Sequence, residues 1–435
     1  MKKNITKYLL LALACLGLQS CLFQEENYFD DSSANRATAD VSRCGELLKG
    51  APNGWVMEYY VGKDYSLGGI TLLCRFDGQR VTMASQMSEA DETVSSLYSV
   101  KSEQATMLSF DTYNYLVHYF GQPQGSMSDD PNGTLGGDYE FIISSASAER
   151  IELKGKKYGN RIVMKALTED QTWKQYLTKI KKVEDDAFFY EYDLLMDGLY
   201  TGQMLRSNYT FIVTYYDEIG KVHQKTVPFM FTADGLRFHE PVTIDGQTMQ
   251  NFVWKNELIS FVCTDEGATG VKLVGVYTAG YQSYDYYPGT YQMDFYRLND
   301  ETGQLEVASQ EVRLLKNEDG KSYWLKGLEY DILVMYDKPR GGLSVSPQLL
   351  KKVQGGYVYL AMWDVMNDYV LRNKSIGLIS YATTNGIYLV DNGVWMGEVS
   401  GFIFGVYNSQ EEDAAFIGYT DAFASIRLVK KTIEE

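Results

Sequence analysis

Histidine is nearly missing: His118, His223 and His239 are the three in 435 residues. That leaves little material for a metal cluster, and no cysteine pair has zinc spacing. Cysteine is scarce too. Of five, Cys15 and Cys21 lie in the first 21 residues, and Cys44, Cys74 and Cys263 remain. Three cannot all pair within one chain, so buried thiols with at most one bridge are expected, and a small disulfide-stapled module is excluded. The apolar run Tyr8–Leu18 is shorter than the roughly twenty residues that a permanent spanning helix needs. Positive charge is also short, with 40 Lys and Arg against 57 Asp and Glu, a net charge of −17. Such a surface repels phosphate backbones, so nucleic acid is not expected as a partner. What is present is a 45% hydrophobic, 14% aromatic chain. That composition excludes a disordered or collagen-like polymer, and the length is enough for about two or three domains with cores of their own.

Lys2, Lys3 and Lys7 precede the apolar run, and Leu18-Gln19-Ser20-Cys21 closes it. A basic start, an apolar middle and a small residue before the cut read as a secretory signal over residues 1–20. The closing tetrad resembles a bacterial lipobox, which implies acylation of Cys21 and anchoring in lipid. Cys15, after Ala12-Leu13-Ala14, would be cut inside the apolar run, so Cys21 is the expected site. Leu22-Phe23-Gln24-Glu25-Glu26 begins an acidic tether, residues 21–32. Acids this close to the lipid resemble the signal that exports lipoproteins to the outer face of the outer membrane. The expected location is therefore the cell surface, with outer-membrane lipid as a partner. Removing residues 1–20 takes three lysines and no acid, which leaves −20.

Ala37, Val41, Cys44 and Leu48 recur at helical spacing, so a helix is expected over 33–49, stopped by Gly50 and Pro52-Asn53-Gly54. From Trp55 to about Leu167 the period is two. About nine short strands are expected, Tyr115–Phe120 among them, with Asp77-Gly78 as a hairpin turn. Asp170–Leu195 returns to helical spacing and reads as a helical connector of 169–196 with a break near Asp186. Strands resume at Tyr200. Phe229–Thr232, Asp234-Gly235 and Leu236–His239 repeat the earlier strand–turn–strand unit, which suggests a duplicated β domain. Asp337–Pro347, rich in Gly and Pro, reads as a long loop. The expected fold is mainly β: two antiparallel barrel- or sandwich-like domains, 33–168 and 197–435, with an N-terminal helix and a helical connector.

Three segments then stand out in order: Ser96–Val100, Ser109–Asn114 and Gly136–Ile143. Leu153-Lys154-Gly155-Lys156-Lys157, His118, Phe231–Phe238 and Ile244-Asp245-Gly246 fit the same pattern. Together they resemble the Bacteroidota lipoprotein family catalogued as domain of unknown function 4302. The resemblance implies a neighbourhood, not a chemistry: a TonB-dependent outer-membrane nutrient transporter of the Sus type and its lipoprotein lid as partners. It brings no catalytic residue with it.

The residues add little chemistry of their own. Gly320-Lys321-Ser322 lacks the earlier glycine of a phosphate loop, and His239-Glu240 is followed by Pro241, with Thr243 where a second zinc histidine belongs. No Gly-x-Ser-x-Gly elbow occurs. Asp129-Asp130-Pro131-Asn132-Gly133 lacks the downstream bidentate acid of a calcium loop and reads as a solvated turn. Asp138 and Glu140 share a strand face but read as exposed strand carboxylates. No cofactor is implied and no catalytic residue is assigned. Tyrosine is the abundant type, 35 in all, and it crowds the loop that holds Tyr281, Tyr284, Tyr286 and Tyr287. A flat apolar ring with a polar rim suits stacking on sugars, so these four are the candidate ligand contacts. The expected function is non-catalytic capture of a glycan or other nutrient, with a carboxylate-dependent hydrolase and an adhesive surface component as the alternatives.

Overall fold

The computed structural model describes residues 32–431, apart from 124–132, Glu218, Asp300 and Glu412. Cys21, the tether before Ser32 and the candidate calcium turn Asp129–Asn132 lie outside the described residues. The chain forms two compact units. Of the described residues, the first holds those up to Val183 together with Asn208–Thr210 and Val227–Val242, and the second holds Glu184–Ser207, those of Phe211–Thr226 and those from Thr243 onward.

The first unit opens with helix α1, Ser33–Lys49, capped by Ser32, whose Oγ accepts from the Asn35 amide at 3.1 Å. Its face is as the spacing predicts: Cys44 and Leu48 are buried, and Ala37 and Val41 half-buried. Eight strands follow: β1 Trp55–Val61, β2 Gly68–Phe76, β3 Arg80–Ser85, β4 Val94–Ser102, β5 Thr106–Phe110, β6 Glu140–Ala146, β7 Arg150–Gly155 and β8 Arg161–Ala166. They pair in chain order, and β8 returns to β1, so the sheet closes as a barrel rather than a sandwich. Asp77-Gly78 turns β2 into β3 as expected: Asp77 Oδ1 accepts from the Gln79 and Arg80 amides, and Gly78 has φ +102°.

Trp55, Met57, Tyr59, Leu72, Cys74, Met83 and Phe141 fill the barrel, all buried. Eight strands enclose a bore that side chains of this size can fill, so this barrel is a packed body. The opposite face of β1 is buried as well. Helix α2, Tyr115–Gly121, stands where a strand was expected. Asn114 accounts for the difference: its Oδ1 accepts from the Leu116 amide and caps the first turn. Helix α3, Trp173–Asp186, then lays Leu177 against Val56 and Leu73.

Residues 187–196 are not helical as the spacing suggested. Past Asp186 the chain enters strand β9, Glu191–Met196, where Tyr192, Leu194 and Met196 alternate inward. Then come β10 Leu199–Ser207, β11 Thr210–Tyr216, β12 Val222–Phe231, β13 Gly235–Ile244, β14 Gln247–Lys255, β15 Ser260–Cys263 and β16 Lys272–Val276. These form a second closed barrel in the order β10 to β16, closed by β9. The expected hairpin between β12 and β13 forms, but its turn is Thr232–Asp234 and Gly235 already opens β13, with Phe229 opposite Phe238.

The last body holds β17 Gly289–Leu298, β18 Leu305–Lys316, β19 Ser322–Lys326, β20 Ile332–Asp337, β21 Gly342–Val345, β22 Gln348–Val353, β23 Gly356–Asp364, β24 Tyr369–Leu371, β25 Leu378–Thr383, β26 Gly386–Asp391, β27 Gly401–Tyr407 and β28 Phe416–Lys430. The expected Asp337–Pro347 loop contains β21, because Gly342 and Pro347 only bracket a buried Leu343 and Val345. Long β28 pairs with β17, β26 and β27, so eight strands again make a ring, and β27, β23 and β22 extend from it. Cys44, Cys74 and Cys263 are all free and buried, so no bridge forms among them. No helix among the described residues is long and apolar enough to cross a membrane.

Candidate functional site

The tyrosine loop does not present one platform. Tyr287 is 1% exposed and donates its hydroxyl to the Gly341 carbonyl at 2.8 Å. Tyr284 donates to the Ser322 carbonyl at 2.8 Å, and its ring stacks on Tyr323 with centroids 4.7 Å apart. Tyr281 accepts from the Tyr336 hydroxyl at 3.1 Å and packs on Tyr277 and Phe188. Only Tyr286 is open, at 38%, with the Lys430 ammonium 5.3 Å above its ring. A phenol that reaches a carbonyl can be buried whole, and here burial also pushes the Tyr287 hydroxyl pKa up.

The other sequence candidates are committed to packing. Asp138, expected at the surface, is buried at 4%, and its two oxygens accept from the Lys157 and Tyr158 amides at 2.7 and 3.1 Å. Burial raises its pKa. Glu140 is held below the ordinary range by its bonds to Lys101 and Lys156. His239 lies against the rings of Tyr60 and Tyr65, with centroids 4.3 and 4.0 Å away, and burial lowers its pKa, so it is a neutral packed ring. Lys321 and Ser322 end a turn in which both amides donate to Asp319 Oδ1. Among the described residues no group of three His, Cys, Asp or Glu side chains could hold a metal ion.

A groove of about 650 Å³ in the last body is the better candidate. It forms because β21 leaves β20 early. The two pair from Met335 to Asp337, and then Ser346-Pro347 carries the chain away towards β22. The Gln348 carboxamide fills the fork: the Leu333 amide donates to its Oε1 at 2.9 Å, and its Nε2 donates to the Leu333 and Ser346 carbonyls at 2.9 and 3.2 Å. One side chain thereby supplies a missing rung of the ladder. Leu333, Met335, Pro347, Leu349 and Tyr359 make the apolar wall. Met335 and Leu349 are 43% and 45% exposed. Ser346, Asn373, Gln410, Arg372 and Lys374 supply the polar rim. The Arg372 guanidinium rests over the rings of Tyr359 and Tyr407, at 4.8 and 4.2 Å, and donates to the Glu411 carbonyl. Replacing Gln348 with Leu should leave the Leu333 amide and carbonyl without partners. The expected cost is about 1–2 kcal/mol, read by urea unfolding of the variant.

In the first unit a smaller depression, about 440 Å³, is lined by Asn53, Arg75, Trp173 and the Glu169–Thr172 turn. Its polar groups bind one another: Asn53 Nδ2 donates to the Thr168 and Gln171 carbonyls, and Trp173 Nε1 donates to the Asn53 carbonyl. Sequence reasoning missed the groove because its wall is gathered from residues 333 to 410 with no shared motif.

Comparison with known families adds the following. A family model described as a domain of unknown function, DUF4302, matches residues 25–256. The chain belongs to this family. Beyond that DUF4302 segment, a second model, DUF4987, also a domain of unknown function, matches residues 264–404 and so takes in most of the groove. No curated protein matches this DUF4302 member. Among solved structures, a crystal structure of a protein of unknown function from the DUF3598 family of Nostoc punctiforme aligns at 8% identity, over 56% of this chain and 94% of that one. Its TM-score of 0.14 is too low to bear on the fold.

Proposed function

We propose that this DUF4302 protein is a lipid-anchored envelope protein that captures a nutrient in the groove of its last body and performs no chemistry on it. The observation that carries the reading is the open apolar wall of Met335 and Leu349 facing a hydrogen-bonding rim. Ligand pockets combine these two elements: apolar area supplies affinity, and a few placed polar groups fix orientation. Acylated Cys21 would hold the body at the outer membrane, on the cell surface, where a TonB-dependent transporter and its lipoprotein lid could receive the ligand.

Calorimetric titration of residues 22–435 against glycan and peptide pools tests capture. Binding is expected, and Leu349→Glu should abolish it, while Tyr286→Ala should not. No binding to any pool would overturn the reading. Anchoring has its own test: mass spectrometry should find an acylated N-terminal Cys21, and Cys21→Ser should release the protein from the membrane fraction.

A further inference from the structure

One stretch of strand in the last body has nothing beside it. β18 pairs with β17 over Leu305–Leu314, but with β19 only over Arg313–Lys316. Among the described residues no other strand pairs with β18, so Leu305–Ser309 is an open edge. The neighbouring bonds show which groups it presents. The Asn299 amide donates to the Gln304 carbonyl, and the Asn317 amide to the Ser322 carbonyl. Antiparallel ladders alternate, so the even-numbered residues of β18 bond to β17 and the odd-numbered ones turn their amides and carbonyls the other way. Leu305, Val307 and Ser309 therefore aim a donor and an acceptor each at the open side. The Val307 side chain is 79% exposed.

Folded proteins blunt such edges with lysine, proline or a bulge. β22, at the end of the same sheet, has all three: Pro347 precedes it, the register slips between Leu349 and Lys351, and Lys351 and Lys352 are exposed. Leu305–Ser309 has no lysine, no proline and no slip in register. It is also self-complementary. Turned about a twofold axis at Val307, an antiparallel copy sets Val307 opposite Val307, Leu305 opposite Ser309 and Glu306 opposite Ala308, so no like charges meet. We propose that the open edge of β18 pairs antiparallel with the β18 edge of a second copy of this chain, centred on Val307. A ladder this short covers less than the roughly 1,000 Å² of a stable interface, so the pair forms where copies are crowded, as anchoring through Cys21 would crowd them.

Disulfide trapping tests this, whether or not the groove binds a nutrient. Cys44, Cys74 and Cys263 are buried, so a cysteine placed on the edge is the accessible thiol. Facing residues of a hydrogen-bonded pair stand about 5.5 Å apart at Cα, within disulfide range. Residues 22–435 carrying Val307→Cys, oxidised with copper phenanthroline in concentrated solution, should give a disulfide dimer about fivefold or more above Glu306→Cys, whose side chain points to the other face and meets Ala308. Adding Ser309→Pro to Val307→Cys removes an outward amide and spares the β17 ladder, so it should bring the yield down to that of Glu306→Cys with the unfolding curve kept. Equal yields from the two cysteines overturn the pairing, however Ser309→Pro folds. So does an undiminished yield in a folded Ser309→Pro variant. In whole cells, Val307→Cys cross-linked to a different chain and never to itself would give the edge to that chain and overturn the self-pairing as well.

Discussion

Replacing Glu58 with Met should destabilise the first unit by about 3 kcal/mol, a fall in melting temperature of roughly 6–12 °C. Glu58 is 8% exposed on the outer face of β1 and binds the Lys165 ammonium at 2.8 Å and the Arg237 guanidinium. Arg237 keeps only 19% of its side chain in contact with solvent, so removing the carboxylate strands a charge that cannot swing into water. Lys165, at 40%, can do so, and the loss therefore falls on Arg237. Arg237→Met should cost less, about 2 kcal/mol, because Lys165 still serves Glu58. The double variant should be more stable than Glu58→Met alone, since an apolar pair leaves nothing uncompensated. Chemical denaturation of the three variants decides this: additive losses would show that the two groups do not act as a pair.

The second large effect is expected at Gly401, which pairs with Ala424 of β28 on one side and with Trp363 of β23 on the other. A Cβ there would lie 1.8 Å from the Phe423 carbonyl oxygen, and a backbone atom cannot turn aside as a side-chain tip can. Gly401→Ala should therefore force β27 from β28 at a cost of about 3 kcal/mol or more. Because β23 carries Tyr359 into the groove, ligand capture should weaken with it. Full stability and full binding in Gly401→Ala would show that the two strands can separate without loss.

Local chemistry explains what could be read in advance. Asp77-Gly78 announces a hairpin because the turn itself demands those residues, Asp77 to accept two amides and Gly78 to take φ +102°, and the α1 face follows from spacing alone. Tyr115–Phe120 is apolar at nearly every position, so neither period shows; the deciding signal is the Asn114 cap, a single hydrogen bond. Barrel closure rests on β1 meeting β8 about a hundred residues later, a pairing with no local trace. The tyrosines misled for a similar reason. Whether Tyr287 stacks on a ligand or donates inward depends on where the Gly341 carbonyl lies, 54 residues away.

Closure also governs how the molecule can come apart. In an open sheet the outermost strand is held along one side and can be peeled off alone. In a ring such as β1–β8 every member is held along both sides, so losing one means tearing two ladders together. A cut in a connecting turn would leave the severed ends bound to their neighbours, and such a chain could be nicked at many points and still migrate as one particle until denatured.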